Sequence, residues 1–138
     1  MDAILTTDAR MTLASAAAVS KGAFPAGFLT GHIRGGRFIV EGFVAADAAA
    51  LADPEIYFRL DALTSGRIIG FLLPASSPAS LRPLLRPHAG GKLVLTPKRG
   101  QGRRPSWRGF SVEFDGKFFF APVRIVRFKE KTSTERWP

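Results

Sequence analysis

The stretch WRGFSVEFDGKFFFAPVRIVRF, residues 107–128, predicts a β-hairpin. Asp115-Gly116 separates two runs in which apolar residues alternate with other types, and Asp-Gly is strongly favoured in two-residue hairpin turns. Such a turn would place residues 107 and 124 opposite each other. The predicted core face then holds Phe110, Val112 and Phe114 opposite Ala121, Phe119 and Lys117. The predicted second face groups Trp107 with Arg124, Phe118 and Phe120.

The phenylalanines of the second face have two interpretations. They could line a binding surface beside Trp107, since aromatic faces stack on bases. They could equally be buried beneath another element, because consecutive phenylalanines are typical of a strand that is covered on both sides. A bulge at Pro122 would exchange the two faces beyond it.

The segment directly before the hairpin is strongly cationic. Residues 98–108 read KRGQGRRPSWR, with five cations, one tryptophan and no acid. Guanidinium groups match the geometry of phosphate oxygens, and glycines allow a ligand to approach the backbone closely. The segment therefore favours a polyanion as partner. The alternative is a mobile, solvated loop that binds nothing specific.

The net charge of +9 is concentrated in one half of the chain. Residues 1–69 hold six Lys and Arg against seven Asp and Glu, whereas residues 70–138 hold fourteen against four. Cations that lie close together repel one another, and a bound polyanion relieves this repulsion. The asymmetry therefore indicates a basic face.

Turn signals elsewhere predict further hairpins. Arg34-Gly35-Gly36 separates strands over 27–33 and 37–44, and an alanine-rich helix over 45–52 ends before Pro54. A second hairpin is expected from Glu55–Leu63, a turn at Thr64-Ser65-Gly66, and a return strand to Leu73. We also expect one or two short helical turns near residues 79–88, followed by a strand over 92–97.

These elements predict a mainly β fold: a small antiparallel barrel or strongly curved sheet, OB-like or PilZ-like, with about seven strands and one to three short helices. Residues 23–129 would form this single domain, and residues 130–138 a charged tail. Residues 1–22 form an N-terminal segment whose helical and loose alternatives both remain open.

The residues that commonly mark enzymes are missing from the sequence. Cysteine is absent, and neither His32 nor His88 has a second ligand at metal spacing. We find no phosphate-binding loop and no serine-nucleophile motif. The expectation is a cytoplasmic, non-catalytic protein without metal or cofactor. No apolar run approaches the roughly 20 residues that a membrane-spanning helix needs, so no membrane insertion is expected.

Arg104 and Arg108 resemble the R-x-x-x-R motif of PilZ domains, which are small β-barrels. The resemblance implies a regulatory domain that binds cyclic di-GMP through these two arginines. The family's second motif, [DN]-x-S-x-x-G, does not follow on a later strand. Residues 61–66 come nearest, but they lie upstream and have Leu63 where the serine belongs.

The sequence thus predicts a nucleic-acid-binding module, preferentially for single strands, that uses a basic loop and a neighbouring aromatic residue. A PilZ-like domain for a cyclic dinucleotide and a module that docks an acidic protein are the alternatives. Nucleic acid or another polyanion is the expected partner. The candidate binding residues are Lys98, Arg99, Arg103, Arg104, Trp107, Arg108, Arg124 and Arg127.

Overall fold

Seven strands close into a barrel in the computed structural model, which describes residues 1–19, 25–74, 78–98 and 106–126. Around the barrel the strands follow the order β1-β3-β2-β4-β5-β6-β7. The elements are β1 (Asp2–Leu5), α1 (Thr7–Val19), β2 (Gly27–Arg34), β3 (Arg37–Ala45), α2 (Ala48–Leu51), α3 (Pro54–Leu63), β4 (Ile68–Leu72), two 3₁₀ turns (Pro78–Leu84 and Pro87–Ala89), β5 (Leu93–Lys98), β6 (Ser106–Phe114) and β7 (Phe118–Val126).

The mainly β barrel with short helices confirms the predicted fold class. The sheet is mixed, however, because β1 runs parallel to both β3 and β7, and β4 runs parallel to β5. Strand β1 lies within the segment 1–22 and completes the barrel. Helix α1 lies in the same segment, so the helical alternative holds for its described residues.

The hairpin of β2 and β3 agrees with its prediction. Gly35 and Gly36 have φ angles of +58° and +73°, so both occupy the left-handed region that a two-residue turn with right-handed twist requires. Arg34 and Arg37 pair directly across this turn. The turn therefore sets the register of the two strands as far as the register shift between Thr30 and Gly31.

The predicted strand over Glu55–Leu63 is wrong, because these residues belong to helix α3. Asp53 caps the helix by accepting a hydrogen bond from the backbone N–H of Glu55 at 2.9 Å, and Pro54 occupies the first turn, where its missing N–H costs nothing. The apolar alternation over residues 56–60 was misleading: Tyr57 is buried, whereas Phe58 is 61% exposed.

The turn predicted at residues 64–66 exists, but it ends α3 instead of joining two strands. Ser65 and Gly66 have φ angles of +57° and +74°. The N–H of Gly66 donates to the carbonyl of Asp61 at 2.7 Å, which satisfies one of the free carbonyls at the helix end. The return strand is present as β4.

The predicted register of the last hairpin is wrong by one residue. Only Gly116 of the turn has a positive φ angle, at +73°, and a two-residue turn of the favoured type needs two such residues. Residues 115–117 therefore form the turn, and Phe114 pairs with Phe118. Because side chains alternate between faces, this shift moves every residue of β7 to the face opposite the one predicted.

Two apolar clusters pack against the strands. The inner cluster fills the barrel with residues from all seven strands, and Ala9 and Leu13 of α1 pack into it. The outer cluster lies between the barrel and the covering helices, where Leu51 and Tyr57 meet Phe71, and the 3₁₀ turns contribute Leu81 and Leu84. Phe118 and Phe120 are half-buried and pack against the outer cluster, which favours the interpretation that another element covers them in part.

The pairing of β4 with β5 depends on a glycine. A Cβ added to Gly70 would lie 2.9 Å from the Cβ of Leu93 and closer still to its carbonyl oxygen. We expect Gly70→Ala to lower the free energy of unfolding by about 1–3 kcal/mol through overpacking, measured by urea denaturation. Gly90→Ala is the control, because its Cβ would come no nearer than 3.3 Å to the Pro87 carbonyl. Equal stability of the two variants would contradict this account of the pairing.

Candidate nucleic-acid interface

A row of cations crosses the outer side of the barrel. Register pairs Arg34 with Arg37, Arg37 with Asp2, and Asp2 with Arg124. Continued by one residue beyond the pair Gly109 and Val123, the register of β6 and β7 places Arg108 opposite Arg124. We call Arg34, Arg37, Arg108 and Arg124, with Asp2 among them, the arginine row.

The side chains of the arginine row point outward, because successive side chains of a strand lie on opposite faces of the sheet. Ala3, Phe38 and Val123, each adjacent in sequence to a member of the row, belong to the inner cluster. Their neighbours Asp2, Arg37 and Arg124 therefore point away from the barrel interior. All four arginines of the row are exposed.

Asp2 and Arg124 form a two-pronged ion pair. The Nη2 and Nε atoms of Arg124 donate to the two carboxylate oxygens of Asp2 at 3.0 and 3.3 Å. The hydrogen bond from Arg124 is the main reason that the pKa of Asp2 lies below its usual value, and the positive charge of Arg37 lowers it further. The Asp2 carboxylate thus occupies a site that the arginines make favourable for an oxyanion.

The row contains two of the residues predicted from sequence, Arg108 and Arg124. Lys98 ends β5 opposite Ser106, so the cationic segment joins the barrel two residues before Arg108. The other predicted cations, Arg99, Arg103, Arg104 and Arg127, lie outside the described residues, as does the side chain of Lys98.

Trp107 lies on the inner face of β6, one residue from the row. Its indole is half-buried and packs against the inner cluster, together with Ile125. The predicted shared face of Trp107 with Arg124, Phe118 and Phe120 is therefore wrong, since the one-residue shift in register puts Arg108 on that face instead. At least part of the indole is therefore buried in the interior of the barrel.

Sequence reasoning missed Arg34, Arg37 and Asp2 as members of the row. The two arginines flank the Gly35-Gly36 turn, and that short-range pattern could have suggested a cationic hairpin tip. Nothing local indicates Asp2, because its neighbours across the sheet are 35 and 122 residues away in sequence.

The two histidines have structural partners. His88 is buried in the outer cluster, and its Nε2 atom lies 2.9 Å from the Leu51 carbonyl. The Nδ1 atom of His32 lies 2.8 Å from Glu41, whose pKa is lowered mainly by this hydrogen bond and further by Arg67. Within the part of the chain that the structure describes, no group of three His, Asp or Glu residues could hold a metal ion.

Comparison with known proteins supports the fold. No protein-family profile and no curated relative matches the chain. The structure is similar to the solution structure of protein DSY2949 from Desulfitobacterium hafniense, with 15% sequence identity, a TM-score of 0.55, and coverage of 94% of this chain and 96% of the other. At this identity the likeness extends to the fold alone. None of the described helices is long and apolar enough to cross a membrane.

The ion pair of Asp2 and Arg124 makes stability depend on pH. Because the folded-state pKa of Asp2 is lowered, its contribution is present above the unfolded pKa of about 4 and is lost as the pH falls through the folded value. We expect Asp2→Asn to be less stable than the unmodified protein at pH 7, with the difference shrinking in acid. Urea denaturation across this pH range measures it.

Arg124→Gln supplies the control for this pH dependence. In the Arg124→Gln background, Asp2→Asn should change the acid dependence far less, because the hydrogen bond that lowers the pKa has already gone. An undiminished effect of Asp2→Asn in that background would show that Arg124 is not the cause.

Proposed function

We propose that this protein is a non-catalytic nucleic-acid-binding module whose arginine row contacts the phosphate backbone. The observation that carries the proposal is the register, which aligns four arginines on neighbouring strands with one acid among them. Arginine forks match phosphate oxygens, and phosphate contacts supply most of the affinity for nucleic acid that does not depend on its sequence.

The spread of the row favours a chain of phosphates over a compact ligand. The row crosses five strands, β2, β3, β1, β7 and β6, and therefore extends over about 19 Å of curved sheet at about 4.8 Å per strand. A polyanion with regularly spaced phosphates reaches all of these cations together. A single small anion contacts only neighbouring members of the row.

The cationic segment extends the same surface in sequence. It connects Lys98 to Ser106, which pair at the ends of β5 and β6, and Arg108 belongs to both the segment and the row. Arg99, Arg103 and Arg104 are thereby tethered within a few residues of the row. Their charge adds to that of the row in attracting a polyanion.

Removing arginines from the row should weaken binding in a salt-dependent way. We expect Arg37→Gln with Arg108→Gln to reduce affinity for a labelled oligothymidylate and to make the slope of log K against log salt shallower by about 1.4, or 0.7 for each lost phosphate contact. Fluorescence polarisation between about 50 and 200 mM salt measures this slope.

Arg59→Gln is the matched control for these variants, because Arg59 is exposed on α3, away from the row, and pairs with Glu55. It should change the slope little. Absence of oligonucleotide binding at low salt would refute the proposed function. Saturable binding of cyclic di-GMP in place of the oligonucleotide would favour the small-ligand alternative.

Asp2 should oppose binding by occupying Arg124. We expect Asp2→Asn to tighten oligothymidylate binding and to steepen the salt slope by up to about 0.7, because Arg124 becomes available to a phosphate. Glu55→Gln removes the same charge and releases Arg59 elsewhere on the surface, so it separates this effect from net charge. If both variants tighten binding equally, the effect comes from net charge, and Asp2 does not oppose binding through Arg124.

A further inference from the structure

A second row, of apolar side chains, lies beside the arginine row on the same side of the sheet. Register pairs Ile4 with Ile39 on one side and with Val126 on the other, two residues along each strand from Asp2, Arg37 and Arg124. We call Ile4, Ile39 and Val126 the aliphatic row. His32 pairs with Ile39 and continues this row onto β2.

The aliphatic row points outward and remains half-buried. Leu5, Val40 and Ile125 are adjacent to its members in sequence and pack into the inner cluster, so alternation directs the aliphatic row to the other face. Helices α2 and α3 cover a different part of the barrel, and α1 packs into the inner cluster through Ala9 and Leu13. None of the three aliphatic residues belongs to the outer cluster. This leaves an apolar strip next to exposed cations.

The charges on the two sides of the aliphatic row differ. The arginine row borders the aliphatic row on one side, at about 6.8 Å or two residues along a strand. On the other side, the Glu41 carboxylate lies 2.8 Å from His32 Nδ1 and accepts a hydrogen bond from Arg67 at 3.1 Å, so the charges there compensate each other. A ligand with anionic groups along one edge and flat apolar groups along the other therefore fits with its anionic edge over the arginine row.

We propose, on the basis of the proposed function, that the bound ligand is a single strand of nucleic acid whose phosphates follow the arginine row and whose bases lie against the aliphatic row. A single strand carries its phosphates and bases on opposite edges and exposes the base faces. A duplex buries those faces in its own stack, so it offers the aliphatic row nothing to contact.

The aliphatic row distinguishes this ligand from other polyanions. Polyphosphate or a sugar-phosphate chain without bases would use the arginine row alone, because it has no apolar group to bury. Bases that cover half-buried isoleucine and valine side chains remove apolar surface from water, which strengthens binding beyond the phosphate contacts. The bases therefore contribute affinity, and the phosphates contribute most of the salt dependence.

A comparison of ligands tests the proposal on the unmodified protein. The probes are oligothymidylate, an abasic deoxyribose-phosphate oligomer of equal phosphate number, and a duplex of the same length, each measured by polarisation at one salt concentration. We expect oligothymidylate to bind roughly tenfold more tightly than the abasic oligomer and more tightly than the duplex. The salt slopes of the two single-stranded probes should agree.

A variant on the aliphatic row locates the contribution of the bases. Val126→Thr keeps the shape of the side chain and replaces one methyl group by a hydroxyl. Val44→Thr makes the same change at an exposed position on β3, five residues from Ile39. We expect Val126→Thr to weaken oligothymidylate binding about threefold without changing abasic binding, since only bases contact the row. Val44→Thr should change neither, and Ile39→Thr should repeat the effect of Val126→Thr.

The outcomes separate this proposal from the proposed function. If oligothymidylate and the abasic oligomer bind equally, the protein binds phosphate chains but the aliphatic row does not receive bases, and this inference is wrong. Equal or tighter duplex binding also overturns it. If none of the probes binds, the proposed function itself fails.

Discussion

Strand β1 is the element on which the rest of the barrel depends. It has four residues, and it pairs in parallel with β3 on one side and with β7 on the other. Without it, the two neighbouring strands would each expose a row of unpaired backbone N–H and C=O groups. Ala3 and Leu5 fill part of the interior at the same time, and Asp2 ties the strand to Arg124 on the outside. One short strand therefore closes the sheet, completes the core and completes the arginine row.

The uneven covering of the barrel determines which part of its outer surface is accessible. Helices α2 and α3 and the 3₁₀ turns lie over the outer sides of β4 and β5 and over parts of their neighbours, and this packing forms the second core. Both rows lie on the other part of the outer surface, centred on β1. The strands there pack on the inner cluster from within, while the side chains of the arginine row reach solvent. The packed barrel therefore fixes the backbone positions of the cations.

Sequence patterns predicted the mainly β fold and the hairpins of β2 with β3 and of β6 with β7, because turn signals are local. Gly35-Gly36 defines a turn by itself. Asp115-Gly116 marked a turn but not its length, since Asp115 keeps a negative φ angle and the turn takes in a third residue. Helix α3 was missed because the alternation of Ile56, Phe58 and Leu60 outweighed the cap at Asp53 and Pro54, although the cap is the stronger physical signal.

The same distinction between local and long-range signals applies to the arginine row. Arg108 and Arg124 stood out in sequence because they belong to the most basic part of the chain. The register that aligns them with Arg37 depends on β1, whose pairing with β7 joins segments more than a hundred residues apart, and no local pattern encodes such pairing. Trp107 was assigned to the binding face because one error in turn length reverses every side chain beyond it.

The position of β1 also affects when the surface can exist during synthesis. Strand β1 leaves the ribosome long before β7, at about 5–20 residues per second, and it has only β3 to pair with until β7 follows. The arginine row is therefore assembled only at the closing step of folding. A nascent chain in which β7 has not yet docked carries the arginines of the row on separate segments, so their alignment across the sheet is a property of the finished barrel.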